Sequence, residues 1–565
     1  MLAALTILPV SSAAVSEAQP ELEGWERLLY YVDGKSLVKS EQFFLSDNGA
    51  RNSAEELDAT IELLNSQHGE VIACNFPSRY SWIKRQGYDV SSFDLTTCSE
   101  LDKFTRSFQR GNISLVFASE HVDYPSSVFG HIFLLFHETS SNFLAADSIQ
   151  FVAETNNEPL LEYIYRGISG GYKGYLLRRP FYVMRDNYSN LEQRALHIYK
   201  LDLSVERIEF LIYFLYELRK AEFDYHFAKV NCAYHIAFLL EVAYGATYSE
   251  YKHAMSVLPV DIINLFQKNI VDKFTVEPSL VRAQYLLSKM TQEESQEFRD
   301  VSKGKVAIVN SLSNNVKEVL LIENEYYFKR HGRVSKNYDE VMRLKLGQPR
   351  LPTEYDDDPF NNKTMFGLGL YSKEKVYGTL LQYRLIGRDI YELQSSRPRE
   401  SKVVFMDAEV LIDNSSNIIL RRLDIIGATS LFNRGALGSK LSWAMELGVN
   451  RENTLNEAAF DGSFSFGHSY ANAHTGIGYL FGGGLQDNSS EGVAYIKPSV
   501  HWIYYPSKKI KVGWLGFIKA GAHGRYKEGS FFLTIGAGNK SMLAKYVMSN
   551  AKTENMLSLI IRYKF

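Results

Sequence analysis

From about residue 364 to the end at 565, large apolar side chains alternate with small or polar ones at a period of two. In Leu441, Trp443, Met445, Leu447 and Val449 the odd positions are large and apolar, while Ser442, Ala444, Glu446 and Gly448 between them are small or polar. The same holds for Tyr377, Thr379, Leu381, Tyr383 and Leu385 against Gly378, Gln382 and Arg384, and for Leu557, Leu559, Ile561, Tyr563 and Phe565 against Ser558, Arg562 and Lys564. Successive side chains of a strand point to opposite faces, so this pattern predicts two-faced β-strands. About ten to twelve such runs are countable, which predicts an extended antiparallel structure. Lipid outside and a polar lumen inside demand this alternation in a membrane barrel, and a soluble β-sandwich produces it too. A strand that ends the chain on an aromatic residue is typical of outer-membrane barrels.

The first two thirds of the chain read differently. Trp25, Leu28, Leu29 and Val32 recur at three and four, and Ala54-Glu55-Glu56-Leu57 opens a second amphipathic run, predicting helices over about 20–70. Residues 112–120, 131–137, 143–153 and 172–185 read as strands, with turns marked by Gly167, Gly170, Gly171 and Gly174. Apolar stripes through Leu203, Ile208, Leu211, Ile212 and Leu215, and again from Cys232 to about Tyr244, predict helices. Residues 260–330 are charged and helical, and Pro349, Pro352 and Asp356-Asp357-Asp358-Pro359 read as a linker. The expected fold class is therefore α+β. It comprises a helical region over 20–108, an α+β domain over 109–262, a helical linker region over 263–358 and an antiparallel barrel over 359–565.

At 565 residues, several domains are required. The formal charge of −3 lacks the basic excess of a nucleic-acid binder, so no nucleic-acid partner is expected. Residues 1–18, an apolar run followed by small residues around Ala14 and Ala18, look like a secretory signal lacking its basic start. No stretch has the roughly 20 apolar residues of a membrane helix. Of three cysteines, Cys74 and Cys98 lie close enough in sequence for one disulfide in an oxidising compartment, or stay reduced and apart in the core.

Cys232 carries the most chemistry. It follows Asn231, a favoured N-cap, at the start of an apolar helix, where unpaired N–H groups and the helix dipole stabilise a thiolate. A small buried core cysteine would fit the same position. Upstream, Pro125-Ser126-Ser127-Val128-Phe129-Gly130-His131 puts His131 at the start of a strand, as a general base or as a structural histidine. His235, three residues after Cys232, is a rival base, although it lies one turn down the helix rather than over the sulfur. No HExxH or paired-cysteine spacing suggests a metal, and no GK[ST] follows Gly170-Gly171 or Gly482-Gly483-Gly484, so no metal and no cofactor are expected.

The segments PSSVFGHIFLLF, ISGGYKGYLLRRPFYVMRDNYSNLEQRALHIYKLDLS and FDYHFAKVNCAYHIAFLLE together resemble the Lnb-type periplasmic domain, named for a lipoprotein N-acyl transacylase, from roughly 110 to 260. WERLLYYVDGKS, FFLSDNG and CNFPSRYSWIKRQ resemble the region that precedes this domain in envelope proteins, and LPVDIINLF the stretch that follows it. That family is similar to the permuted papain-like superfamily, which includes NlpC-type peptidases and lecithin retinol acyltransferase. The resemblance implies Cys232 as nucleophile and His131 as base. It leaves the third, orienting residue open: Gln150 comes first, with Asp147 and His137 behind it. Many relatives read Asn-Cys-Ser where this chain has Asn231-Cys232-Ala233, which removes one hydroxyl but not the dyad. The backbone N–H of Cys232 and of its helix neighbours would hold the oxyanion.

Three functions remain in competition. The first is an envelope thiol acyltransferase or hydrolase, acting on an ester or amide of a lipid or lipoprotein and anchored by the barrel. The second is a peptidoglycan amidase or peptidase with the same dyad, and the third a non-catalytic outer-membrane barrel with a periplasmic binding domain. Tyr225, Phe227 and Tyr234 around Cys232 favour a lipid substrate over a stem peptide. The expected location is the outer membrane of a Gram-negative bacterium, with the α+β domain in the periplasm.

Overall fold

The computed structural model describes residues 20–120, 129–138, 144–156, 158–254, 256–303, 311–331, 338–344, 364–373, 376–394, 399–432, 441–451, 458–471, 474–488, 491–521, 524–550 and 555–564. The signal-like segment 1–18, the start of the PSSVFGH motif, the acidic linker run and Phe565 lie outside them. The chain divides into two compact units: 1–116 with 132–184 and 199–273, and 117–131 with 185–198 and 274–565.

In the first unit, helices Ser53–Leu64, Pro77–Arg85 and Val205–Leu218 converge on one buried cation. Arg79 is fully buried between the Phe43 and Phe76 rings, 4.3 and 4.5 Å from their centroids. It pairs with Glu56 at 2.8 Å and with Glu217 at 3.2 Å, and Glu217 also accepts from the Ser78 backbone and hydroxyl. Burial pushes both carboxyls above their ordinary range and Arg79 opposes it. A buried charge is tolerated only when paired in this way, so the cluster fixes how the N-terminal helices meet Val205–Leu218. Cys74 and Cys98 form the disulfide, with Cα atoms 5.5 Å apart.

A seven-stranded sheet runs in the order Phe223–Tyr225, Tyr172–Pro180, Asp147–Ala153, His131–His137, Asn112–Ala118, Leu196–Leu201, Ile270–Val276. Leu134 pairs with Ile149 and Leu135 with Ser148, so Ile149 and Phe151 share one face with Leu134 and Phe136, while Ser148 and Gln150 share the other with Phe133 and Leu135. Helix Cys232–Tyr244 packs on the first face, where the His235 ring stacks on Phe151 at 3.5 Å. The Phe181 ring stands on the second, 6.5 Å from Phe133.

The second unit holds a helical cluster, Ser279–Lys289, Gln292–Ser302 and Asn314–His331, around Leu280, Leu286, Phe298, Val316, Val319 and Leu320. Its remainder is a closed antiparallel barrel. Thirteen strands from Met365–Lys373 to Met556–Lys564 form one sheet in which each end finds a partner. Glu491–Ile496 and Ser499–Ser507 are consecutive pieces, separated at Pro498, that pair with the same two neighbours, so the barrel has twelve staves. The alternation sorts as a membrane requires. Leu368, Leu557, Leu559 and Ile561 point outward and are exposed, while Arg384, Lys402, Asp407, Lys519 and Arg562 point inward and are buried. Among the described residues no helix is long and apolar enough to cross a membrane, so any crossing is made by strands.

The lumen is occupied where the chain enters the barrel. Residues 389–394, after strand Val376–Arg388, turn inward. Asp389 and Glu392 bind Arg384, and Lys511 donates to the carbonyls of Ile390 and Glu392 at 2.6 and 3.0 Å. The Tyr391 ring meets Phe532 edge-on at 5.1 Å. Beyond this plug, a cavity of about 540 Å³ is lined by paired charges such as Lys402–Glu446 and Lys519–Asp461.

Several expectations shift in detail. Val32 belongs to a short hairpin, Tyr31–Val32 with Lys35–Ser36, rather than to the first helix. The strand expected over 172–185 stops at Pro180, which lacks an N–H, and Phe181–Arg185 is helical. Ile270–Val276, inside a region read as helical, is the sheet's edge strand, mostly exposed and therefore without an apolar stripe.

Candidate functional site

Cys232 is the first residue of helix Cys232–Tyr244 and is 6 % exposed. Asn231 organises this helix start with its whole amide. Its oxygen accepts from the N–H groups of Ala233 and Tyr234 at 2.9 and 3.2 Å, and its nitrogen donates to the carbonyls of Phe227 and Val257 at 3.0 and 2.8 Å. Residues 226–231 fold back between these bonds, with the His226 N–H on the Val230 carbonyl at 3.0 Å.

The Tyr225 phenol lies beside Cys232. Burial, then the proximity of Cys232, holds the phenol well above its ordinary pKa, so it stays a proton-bearing donor. Tyr225 ends strand Phe223–Tyr225 on the sheet face that carries the helix, with its ring stacked on Phe151 at 5.5 Å. Phe227, Tyr163 and Tyr172 extend this aromatic wall, Phe227 standing 5.0 Å from Tyr163 and 5.8 Å from Tyr172. Gly167 and Gly170 let it close, since a Cβ on either would stand about 2 Å from the Phe227 and His226 rings.

The sequence argument placed Tyr225 only in an aromatic neighbourhood. A signal was present: Phe223 and Tyr225 are two apart, hence on one strand face, and both touch Phe151. Of the helix-start N–H groups expected to hold an oxyanion, those of Ala233 and Tyr234 bond to Asn231 Oδ1 and that of His235 to the Asn231 carbonyl, which narrows the expectation to the N–H of Cys232 itself.

His131 opens strand His131–His137 and is half-buried. It follows Gly130, whose φ of +89° and contact with the Ala118 carbonyl, 2.8 Å from where a Cβ would stand, exclude other residues. Its ring lies 5.9 Å from that of Tyr188. Tyr188 is covered by the guanidinium of Arg194 at 4.6 Å, and Arg194 is itself fixed by the carbonyls of Ser119 and Ala118.

Gln150 is buried on the sheet face opposite Phe151 and donates to Met184 Sδ at 3.4 Å. Asp147 pairs with Arg178 at 2.8 Å, and His137 Nε2 lies 2.9 Å from Ser114 Oγ with its pKa lowered by burial to about 4. His235 is fully buried against Phe151 and Tyr30, and burial holds it well below its ordinary pKa. That is the environment of a neutral core histidine. Among the described residues, no group of three or more His, Cys, Asp or Glu is placed to hold a metal ion.

Residues 100–269 match the family described as the Lnb N-terminal periplasmic domain. Residues 20–86 and 356–527 match two further families, both described only as domains of unknown function. No curated protein matches the chain. Among solved structures, the chain is similar to the KdgM porin in complex with disordered oligogalacturonate, at 8 % identity and a TM-score of 0.24 over 36 % of this chain and 99 % of that one. It is also similar to an outer membrane channel from Pseudomonas putida F1, at 10 % identity and 0.25 over 38 % and 100 %. A third is a loop-deletion mutant of OmpT, an outer membrane protein of Vibrio cholerae, at 11 % identity and 0.21 over 36 % and 98 %. Scores this low carry no argument, and the barrel rests on its own closed register and apolar outer wall. Residues 100–269 thus carry a match to the Lnb N-terminal periplasmic domain, joined in one chain to a closed twelve-strand barrel of outer-membrane type.

Proposed function

We propose that the chain is a cell-envelope cysteine acyltransferase or hydrolase, with Cys232 as nucleophile and His131 as general base. The observation that carries this reading is the setting of Cys232. It is a thiol outside the disulfide, at a capped helix start, beside the Tyr225 phenol and walled by aromatic rings. A cysteine that only filled the core would require neither the phenol nor the cap. The role of His131 rests on the family resemblance, and Gln150, which donates to Met184 Sδ, stays the first choice for the orienting third residue.

In the forward step His131 takes the thiol proton and sulfur bonds to the carbonyl carbon of an ester or amide. With the N–H groups of Ala233 and Tyr234 engaged by Asn231, the Cys232 N–H and the Tyr225 hydroxyl beside it are the donors at hand for the oxyanion. Collapse of the tetrahedral intermediate expels the alcohol or amine, which takes the proton from His131 and leaves an acyl thioester on Cys232. An amine or water then attacks the thioester and restores the thiol. The aromatic wall of Tyr163, Tyr172 and Phe227 favours an acyl chain over the polar stem peptide of peptidoglycan.

The test is mass spectrometry of the full-length protein in lipid nanodiscs after exposure to an acyl ester. An acyl adduct on the peptide carrying Cys232 is expected. It should be lost in Cys232→Ala and slowed at least about 100-fold in His131→Ala. No adduct on Cys232, or unchanged acylation in His131→Ala, would sink the proposal.

A further inference from the structure

The cavity inside the barrel has a charged side and an apolar side. On the charged side, Lys402 binds Asp424 at 2.9 Å and Glu446 at 3.1 Å. Lys497 binds Glu446 at 2.6 Å, and Arg422 reaches Asp424 at 3.4 Å, so three cations share two carboxylates. Over the whole wall, eight lysines and arginines stand against six aspartates and glutamates, which leaves the cavity formally positive. Lys545 contributes to that excess. It is 6 % exposed, and its ammonium rests 4.7 Å over the Tyr391 ring with no hydrogen-bond or carboxylate partner among the described residues. Arg451, on the same wall, has a buried Nε with no hydrogen-bond partner among them. Buried charge is costly unless it is paired, so this set of cations is suited to an anion.

The apolar side is made by Leu411, Tyr371, Met556 and Val547. Their strands, Arg399–Asp413, Met365–Lys373, Met556–Lys564 and Lys540–Ser549, lie within five consecutive positions of the sheet, and all four side chains line the cavity. The lumen of a membrane barrel is ordinarily polar because water fills it, so an apolar arc facing inward is an exception. The plug at 389–394 takes up part of this arc, with Tyr391 against Phe532, whereas these four residues remain in the cavity wall. The same plug, held by Lys511 and Arg384, closes the lumen at its end and makes the cavity a pocket there rather than a passage.

We infer that the barrel lumen is a second ligand site, which binds an amphipathic anion with a single alkyl chain. The phosphate or carboxylate head is drawn to Lys402, Lys497, Arg422 and Lys545, and the chain lies on Leu411, Tyr371, Met556 and Val547. A volume of about 540 Å³ falls within the range of small-molecule sites, about 300–1,000 Å³, and is too small for a two-chain phospholipid. Every residue involved belongs to the barrel, so the inference stands apart from the reading of Cys232.

The experiment is calorimetric titration of the full-length protein in nanodiscs with octyl phosphate and with octanoate, using empty nanodiscs as the reference. Saturable binding of one equivalent of at least one of the two is expected, equally in wild type and in Cys232→Ala, and the tighter of the two identifies the head group. Octanol and inorganic phosphate, which each carry half of the ligand, are expected to bind at least about tenfold more weakly. Lys545→Gln is expected to weaken binding of the anion about tenfold by removing one charge-assisted bond, without affecting octanol. Ala444→Trp, which fills the cavity from its wall, is expected to abolish binding. Heat-modifiable migration on gels verifies that each variant barrel is folded, and if Ala444→Trp does not fold, Lys545→Gln decides alone. Uptake no greater than that of empty nanodiscs overturns the inference, as does undiminished binding in folded Lys545→Gln. Inorganic phosphate binding as tightly as octyl phosphate overturns it too, since the apolar side would then contribute nothing.

Discussion

The Tyr225 ring stacks on Phe151 with centroids 5.5 Å apart, which holds its phenol beside Cys232. One side chain thus ties the surroundings of the sulfur to the sheet. Tyr225→Phe keeps the stacking on Phe151 and removes only the hydroxyl. We expect acylation by an ester to fall by about 100-fold, the scale of a lost oxyanion donor, with thermal stability within about 1 kcal/mol of wild type. Stopped-flow acylation and thermal melts of the same preparations check both; an unchanged acylation rate would leave Tyr225 with a purely structural role.

Asn231 ties the helix start to Phe227 and Val257 through its nitrogen and caps it through its oxygen. Asn231→Asp retains the cap and loses both donated bonds, whereas Asn231→Ala loses everything. Urea unfolding should therefore rank wild type, Asp, then Ala, with Ala less stable by about 2 kcal/mol or more. Equal losses for the two variants would mean that the donated bonds contribute nothing.

Burial lowers His137 to about 4, so the folded protein holds this ring neutral across a range in which the unfolded chain protonates it. The unfolded state binds more protons between about pH 6.5 and 4, and stability drains away as pH falls through that window. Unfolding of wild type should take up close to one more proton there than unfolding of His137→Gln. Parallel pH–stability slopes for the two proteins would contradict the assignment.

Arg384 is fully buried in the lumen and faces Asp389, Glu392 and Asp407 together. Arg384→Ala leaves Asp389 to Arg562, Glu392 to Lys564 and Asp407 to the Gln382 amide, so a cluster of three buried carboxylates loses the one cation they share, a loss expected to exceed about 3 kcal/mol. Leu368→Arg on the outer wall is expected to cost about 2–4 kcal/mol only in a bilayer. Urea titrations in vesicles and in detergent separate the two. A lipid-independent penalty at Leu368 would mean that this wall does not face lipid.

Much of this architecture was legible because it obeys short periods. Leu557, Leu559, Ile561 and Tyr563 were recognisable as one face, and that face is the exposed outer wall. Helix Cys232–Tyr244 and its Asn231 cap were equally plain, being local along the chain. What escaped depends on contacts between distant residues. Edge strand Ile270–Val276 buries too little to show a pattern, and the inward turn of 389–394 is fixed by Lys511 and Thr534, more than a hundred positions away. Gln150 illustrates the same limit. Its strand was identified, but only the pairing of Leu135 with Ser148 reveals that its amide turns toward Met184.

The Cys74–Cys98 disulfide also determines how the protein withstands oxidants. A thiol oxidised to sulfenic acid is usually rescued when a neighbouring cysteine condenses with it, and here both other cysteines of the chain are already committed to each other. Neither Cys74 nor Cys98 is therefore available to condense with Cys232. Once oxidised in the envelope, it returns to the thiol only through a reductant supplied from outside the chain.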